Sequence, residues 1–135
     1  MKIVLDTNVL VSGLIHPFGP PGEIVRMVSS GVLEICHDSR VLSEYREVLL
    51  RPRFGFEKKD VDALLEQIKF TGHVVAGEVL SRPLPDPDDE VFLEIALAAK
   101  IKYLVTGNIK HFPVSTRQKV QVVSPAQFLE IYRSL

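Results

Sequence analysis

Five short apolar runs, mostly β-branched, punctuate the chain at residues 3–5, 32–36, 72–76, 102–106 and 120–123. Runs of that length and type predict buried strands. Between them, apolar residues recur at three- and four-residue spacing. Residues 22–30 follow Pro20-Pro21, which suits a helix start. Residues 39–50 carry Val41, Leu42, Tyr45, Val48 and Leu49; residues 57–70 carry Val61, Leu64, Leu65 and Ile68; residues 87–100 carry Phe92, Leu93, Ala96, Leu97 and Ala99. A last helix starts at Ser124-Pro125, a cap followed by proline at the first helical position, and keeps Phe128, Leu129, Ile131 and Tyr132. Alternating strands and helices predict an α/β fold, with a mostly parallel central sheet between helices on both faces. The second crossover holds two helices, separated by Arg51-Pro52-Arg53-Phe54-Gly55-Phe56, through which Pro52 prevents a continuous helix. That basic, aromatic linker reads either as a solvated connection or as a lip that contacts phosphates.

A chain of 135 residues supports one core, so residues 1–135 are expected to form a single domain. A formal net charge of −1 gives no global field, and any nucleic-acid footprint must be local. The single Cys36 excludes an intramolecular disulfide and lies in an apolar run, where it acts as a small buried filler. No charged head leads into a long apolar stretch, and nothing approaches the ~20 apolar residues of a membrane span. The chain is therefore expected to be cytoplasmic and free of the membrane.

Chemistry enters where the first strand runs into Asp6-Thr7-Asn8. In a parallel α/β unit, strand C-termini and the N-termini of the following helices share one edge of the sheet, where ligands bind. Asp6 ends the first strand, Glu44 lies in the second turn of the helix after the second, and Asp89 lies in the first turn after the third. Thr106-Gly107-Asn108 follows the fourth. Glu44 and Asp89 also fall on or beside the inward apolar stripe of their helices. An acid there is costly unless it is paired or binds a metal. Asp88 and Glu90 are expected to favour the helix dipole, and Asp86 is kept as an outer ligand. Three carboxylates and the Asn108 amide at one crevice make an oxygen-only cluster, which suits Mg2+ or Mn2+. His16, His37, His73 and His111 show no paired metal spacing and read as structural or solvated, with His37 at a strand end. Such a site suits phosphate esters. No Ser–His–Asp or Cys–His arrangement competes, and Gly19-Pro20-Pro21-Gly22 lacks the lysine of a phosphate loop. A phosphotransfer phosphatase would want an acid where Asn8 stands, and a receiver domain would want paired acids early in the chain; both are disfavoured.

Asp6-Thr7-Asn8, Ser43-Glu44-Tyr45, Asp86-Pro87-Asp88-Asp89 before Phe92-Leu93, and Leu104-Val105-Thr106-Gly107-Asn108 together resemble the PIN-domain ribonucleases. Most similar is the VapC-like branch, the toxin components of prokaryotic toxin–antitoxin systems. The resemblance runs in order over nearly the whole chain. It implies a three-layer α/β/α fold and a Mg2+- or Mn2+-dependent endoribonuclease. Asp6, Glu44 and Asp89 match the family's acidic metal ligands, and Asn108 falls where many members have a fourth acid. An amide offers an oxygen but no charge, so one-metal occupancy or weak activity is implied. Thr7, Asn8 and Thr106 match small polar positions around the site and, with Asp86, are read as groups that orient ligands and water. Arg51, Arg53, Lys58, Lys59 and Lys110 are the candidate RNA contacts. A small antitoxin protein and a homodimer are the partners that the resemblance implies. A competing expectation is a metal- or RNA-binding module that has lost catalysis, motivated by Asn108.

Overall fold

The apolar runs become five parallel strands because their side chains must be covered on both faces, and helices supply the cover. A computed structural model describes all of residues 1–135. The strands are β1 (Lys2–Leu5), β2 (Glu34–His37), β3 (His73–Val74), β4 (Tyr103–Val105) and β5 (Gln121–Val123). Six helices flank them: α1 (Thr7–Ile15), α2 (Pro20–Ser29), α3 (Ser39–Leu49), α4 (Lys58–Thr71), α5 (Glu90–Ala99) and α6 (Pro125–Arg133). The sheet order is β3-β2-β1-β4-β5, with Ile3 opposite Ile35 and Leu5 opposite Val105. This is the expected α/β/α arrangement with a wholly parallel sheet.

Right-handed crossovers put α1–α2 and α3–α4 on one face as the chain moves from β1 outward to β3. The chain then returns past β1 to β4, and α5 covers the opposite face, against β1, β2 and β4. Strand order therefore reverses beside β1. In open parallel sheets a crevice opens at such a reversal, beyond the strand C-termini. Asp6 and Thr106 stand on its two sides.

Three elements differ from the sequence-based expectation. The first crossover holds two helices rather than one: α1 begins immediately at Thr7 and packs closely on α2. Gly13 permits that approach, since a Cβ there would stand 2.6 Å from the Pro21 carbonyl oxygen. β3 shortens to two residues because it is an edge strand paired only with β2. The expected helix 87–100 divides into a 3-10 turn, Pro87–Asp89, followed by α5. Pro87 starts the turn, and the Asp88 amide donates to Asp86 Oδ1 at 3.0 Å. α6 begins as expected: Ser124 and Gln127 cap each other reciprocally. No helix is long and apolar enough to cross a membrane.

Candidate metal centre

The end of β1 is held from both sides. The Asp6 amide continues the ladder to the Val105 carbonyl at 2.9 Å. Thr106, fully buried, donates its hydroxyl to Asp6 Oδ2 at 2.7 Å and accepts the Asn108 amide at 3.0 Å. Asn8 Oδ1 accepts the Gly107 amide at 3.1 Å. Thr106-Gly107-Asn108 is thus clamped onto the β1–α1 junction. On the other flank, the buried Tyr45 hydroxyl donates to the Leu5 carbonyl at 2.5 Å, and its ring stacks on Phe92. This bond pins α3 to the strand end and sets the position of its neighbour Glu44.

These constraints produce an open crevice of about 450 Å³. Asp6, Glu44, Asp86, Asp88 and Asp89 line it, with Thr7 and Asn8 on its α1 wall and Arg51, Arg53 and Phe54 at its lip. Asp6 is 4% exposed and Asp89 8% exposed. Burial raises the Asp6 pKa, while the Thr106 hydroxyl and the amides of Asn8 and Thr7 pull it back. Burial, then the charges of Asp6 and Asp86, push Asp89 up to about 6, opposed by His111. Glu44 is raised by burial and by Asp88 and Glu47, with Arg51 opposing. Each carboxylate is therefore held away from the charged state that it would prefer in water. A cation in the crevice would relieve all three.

Some placements differ from expectation. Asn108 does not line the crevice; its side chain is exposed, and its backbone amide is what bonds Thr106. Asn108 directly precedes a 3-10 turn, Ile109–His111. Asp86, not Asp88, caps the Pro87–Asp89 turn, and Asp88 faces the crevice. Glu90 accepts the Leu84 amide at 2.9 Å, tying down the segment before the turn. Of the basic candidates, Arg51 and Arg53 reach the lip. Lys58 pairs with Asp62 at 2.9 Å and Lys59 with Glu57 at 3.6 Å, away from it. Lys110 is exposed on the 3-10 turn.

His111 is the residue that sequence reasoning missed. Its Nδ1 lies 3.0 Å from Asp89 Oδ2, and ligand atoms of Asp86, Asp89 and His111 all fall within 4.8 Å of one another. The available signal was position: His111 sits on the turn after the fourth strand, on the same sheet edge as the acids. The donor set fits a divalent ion. It combines clustered carboxylate oxygens and one imidazole nitrogen. Of the cations at the lip, Arg51 is ion-paired with Glu47 at 3.0 Å.

Comparison with known proteins agrees with this geometry. The family model described as PIN domain matches residues 2–110. An uncharacterized protein of Methanocaldococcus jannaschii is 24% identical over 142 residues, spanning 96% of this chain and 90% of that relative.

Proposed function

The chain belongs to the PIN-domain family, whose members are metal-dependent nucleases, and from that premise we propose that it is a Mg2+- or Mn2+-dependent endoribonuclease whose one nuclease domain spans residues 1–135. The observation that carries this reading is the convergence of Asp6, Glu44 and Asp89 on one crevice, each with its pKa raised. When bound, the ion supplies Lewis acidity toward a phosphoryl oxygen and lowers the pKa of water. Asp6 and Asp89 would hold that ion, with Asp86 beside them. Thr106 fixes the Asp6 carboxylate through its hydroxyl. The Glu44 carboxylate, its pKa raised by burial, would ligate that ion or take the proton from an attacking water. By resemblance to the family, in-line attack would expel the 3′ oxygen and leave a 5′ phosphate and a 3′ hydroxyl. Arg51 and Arg53 contact the RNA backbone at the lip.

Its resemblance to VapC-like toxins supports a role as the toxin of a toxin–antitoxin pair in the cytoplasm. The partners would be a small antitoxin protein, entering the acidic crevice with a basic side chain, and a second copy in a homodimer. Asn108, an exposed amide where many members of the family have a fourth acid, favours a second reading, a metal- or RNA-binding module of weak activity. The deciding experiment is cleavage of RNA by purified protein in Mg2+, Mn2+ or chelator, run beside Asp6→Asn. Metal-dependent cleavage that Asp6→Asn removes supports the nuclease. Equal cleavage by both samples assigns the activity to a contaminant, and metal-dependent RNA binding without cleavage assigns the weaker module.

A further inference from the structure

We propose that His111 is a direct ligand of the divalent ion and that its nitrogen tunes the site toward Mn2+ and away from Mg2+. The inference rests on the metal-dependent nuclease reading and concerns which ion the site takes. Three observations support it. First, cis ligands of an octahedral ion with bonds of ~2.1 Å stand ~3.0 Å apart. His111 Nδ1 and Asp89 Oδ2 stand 3.0 Å apart in a hydrogen bond; with the imidazole proton on Nε2 instead, both atoms can meet one ion with little movement.

Second, the imidazole is set in place before any ion arrives. Its turn is anchored by the fully buried Phe112. Arg117 donates Nε to the Phe112 carbonyl at 2.6 Å and Nη2 to the Ile109 carbonyl at 3.3 Å. The side chain itself is 45% exposed, so the side of the site away from Asp89 is open to water or substrate. Third, donor atoms of Asp86, Asp89 and His111 all lie within 4.8 Å of one another, so the imidazole nitrogen and two carboxylates can share one ion.

The consequence follows from donor chemistry. Mg2+ takes hard oxygen donors in a strict octahedron, whereas imidazole favours first-row transition metals. Replacing an oxygen with an imidazole nitrogen therefore lowers Mg2+ affinity relative to Mn2+.

The test is calorimetric titration of MnCl2 and MgCl2 into chelator-treated protein, for wild type, His111→Ala and His111→Asp. Wild type should bind Mn2+ at least about tenfold more tightly than Mg2+. His111→Ala should weaken Mn2+ binding about tenfold and leave Mg2+ binding nearly unchanged, and His111→Asp should narrow the ratio by strengthening Mg2+ binding. Equal weakening of both ions would make His111 a hydrogen-bond partner of Asp89 and overturn the proposal, as would no effect. Pulsed EPR on Mn2+-loaded wild type, which needs no variant to fold, should show coupling to a directly bound nitrogen; its absence also overturns the proposal. If wild type binds neither ion, the nuclease reading falls as well. If it binds ions that His111 does not influence, only this inference falls.

Discussion

Asp6 and His37 end neighbouring strands, both almost wholly buried, yet their surroundings are opposite. Asp6 lies where strand order reverses, so nothing crosses over it. It keeps a designed partner in Thr106 and opens onto the crevice. His37 lies one strand outward, where α3, α4 and β3 close over the sheet. It is 1% exposed, and neither ring nitrogen has a hydrogen-bond partner. A Cβ on Gly72 would stand 2.9 Å from its Cδ2, so the ring fills space against a backbone turn. Position at a strand end does not make a polar residue functional; topology decides whether the strand end meets solvent or a lid of helices.

The sharpest way to break this contrast is to exchange the losses. Asp6→Asn is expected to reduce metal-dependent RNA cleavage by at least about 10²-fold, whereas His37→Leu leaves cleavage near wild type. Comparable losses in the two variants, in matched assays of folded protein, would erase the distinction. Next in size is Tyr45→Phe. It removes the bond to the Leu5 carbonyl and leaves that oxygen buried, costing about 1–3 kcal/mol in urea unfolding and loosening Glu44. A loss below about 0.5 kcal/mol would show that α3 is held by packing alone.

The pH dependence separates the two strand ends further. Asp89 titrates at about 6 in the folded protein, above its unfolded value near 4. The folded state then binds more protons between those values, so metal-free stability falls as pH rises through that window. His37 runs the other way: burial lowers its pKa, so stability falls as pH drops below the unfolded value of about 6.5. In chelator, Asp89→Asn should reduce the loss on raising pH from about 4 to 6, the raised Asp6 and Glu44 keeping the remainder. His37→Leu should remove the loss on lowering pH below about 6.5 and add about 1 kcal/mol, since an apolar group replaces an unpaired one. Unchanged pH profiles would contradict both assignments. The smallest effect is expected at the lip. Arg51→Ala and Arg53→Ala should each weaken RNA binding a few-fold and reduce the salt slope by about one. Salt-independent losses would remove phosphate contact from the explanation.

Much of this architecture is legible in the residues, for identifiable reasons. Ile3, Val4 and Leu5 are apolar on both faces because β1 is central, so the run stands out. Helix α3 shows its amphipathic stripe because one side meets solvent. Helix α1 is harder to read: Val9, Leu10, Val11 and Leu14 pack on several sides, so the helical period is blurred and β-branched residues suggest strand. The gathering of Asp6, Glu44 and Asp89 follows from parallel topology alone. The Asp89–His111 pair does not, because the two lie 22 residues apart on separate elements. No metal spacing marks such a pair; only the path of the turn after Thr106 brings His111 back to Asp89.

The most direct measurement is the melting temperature of wild type and Asp6→Asn in chelator and in millimolar Mn2+, at neutral pH. In chelator, Asp6→Asn should melt higher, because a buried like charge is gone. In Mn2+ the order should reverse. Wild type should gain about 2–3 kcal/mol at an ion concentration near a hundred times its Kd, several degrees at this chain length, while the variant gains little. Wild type that melts identically in chelator and Mn2+, or a variant that gains as much, would contradict a carboxylate crevice built to hold a divalent ion.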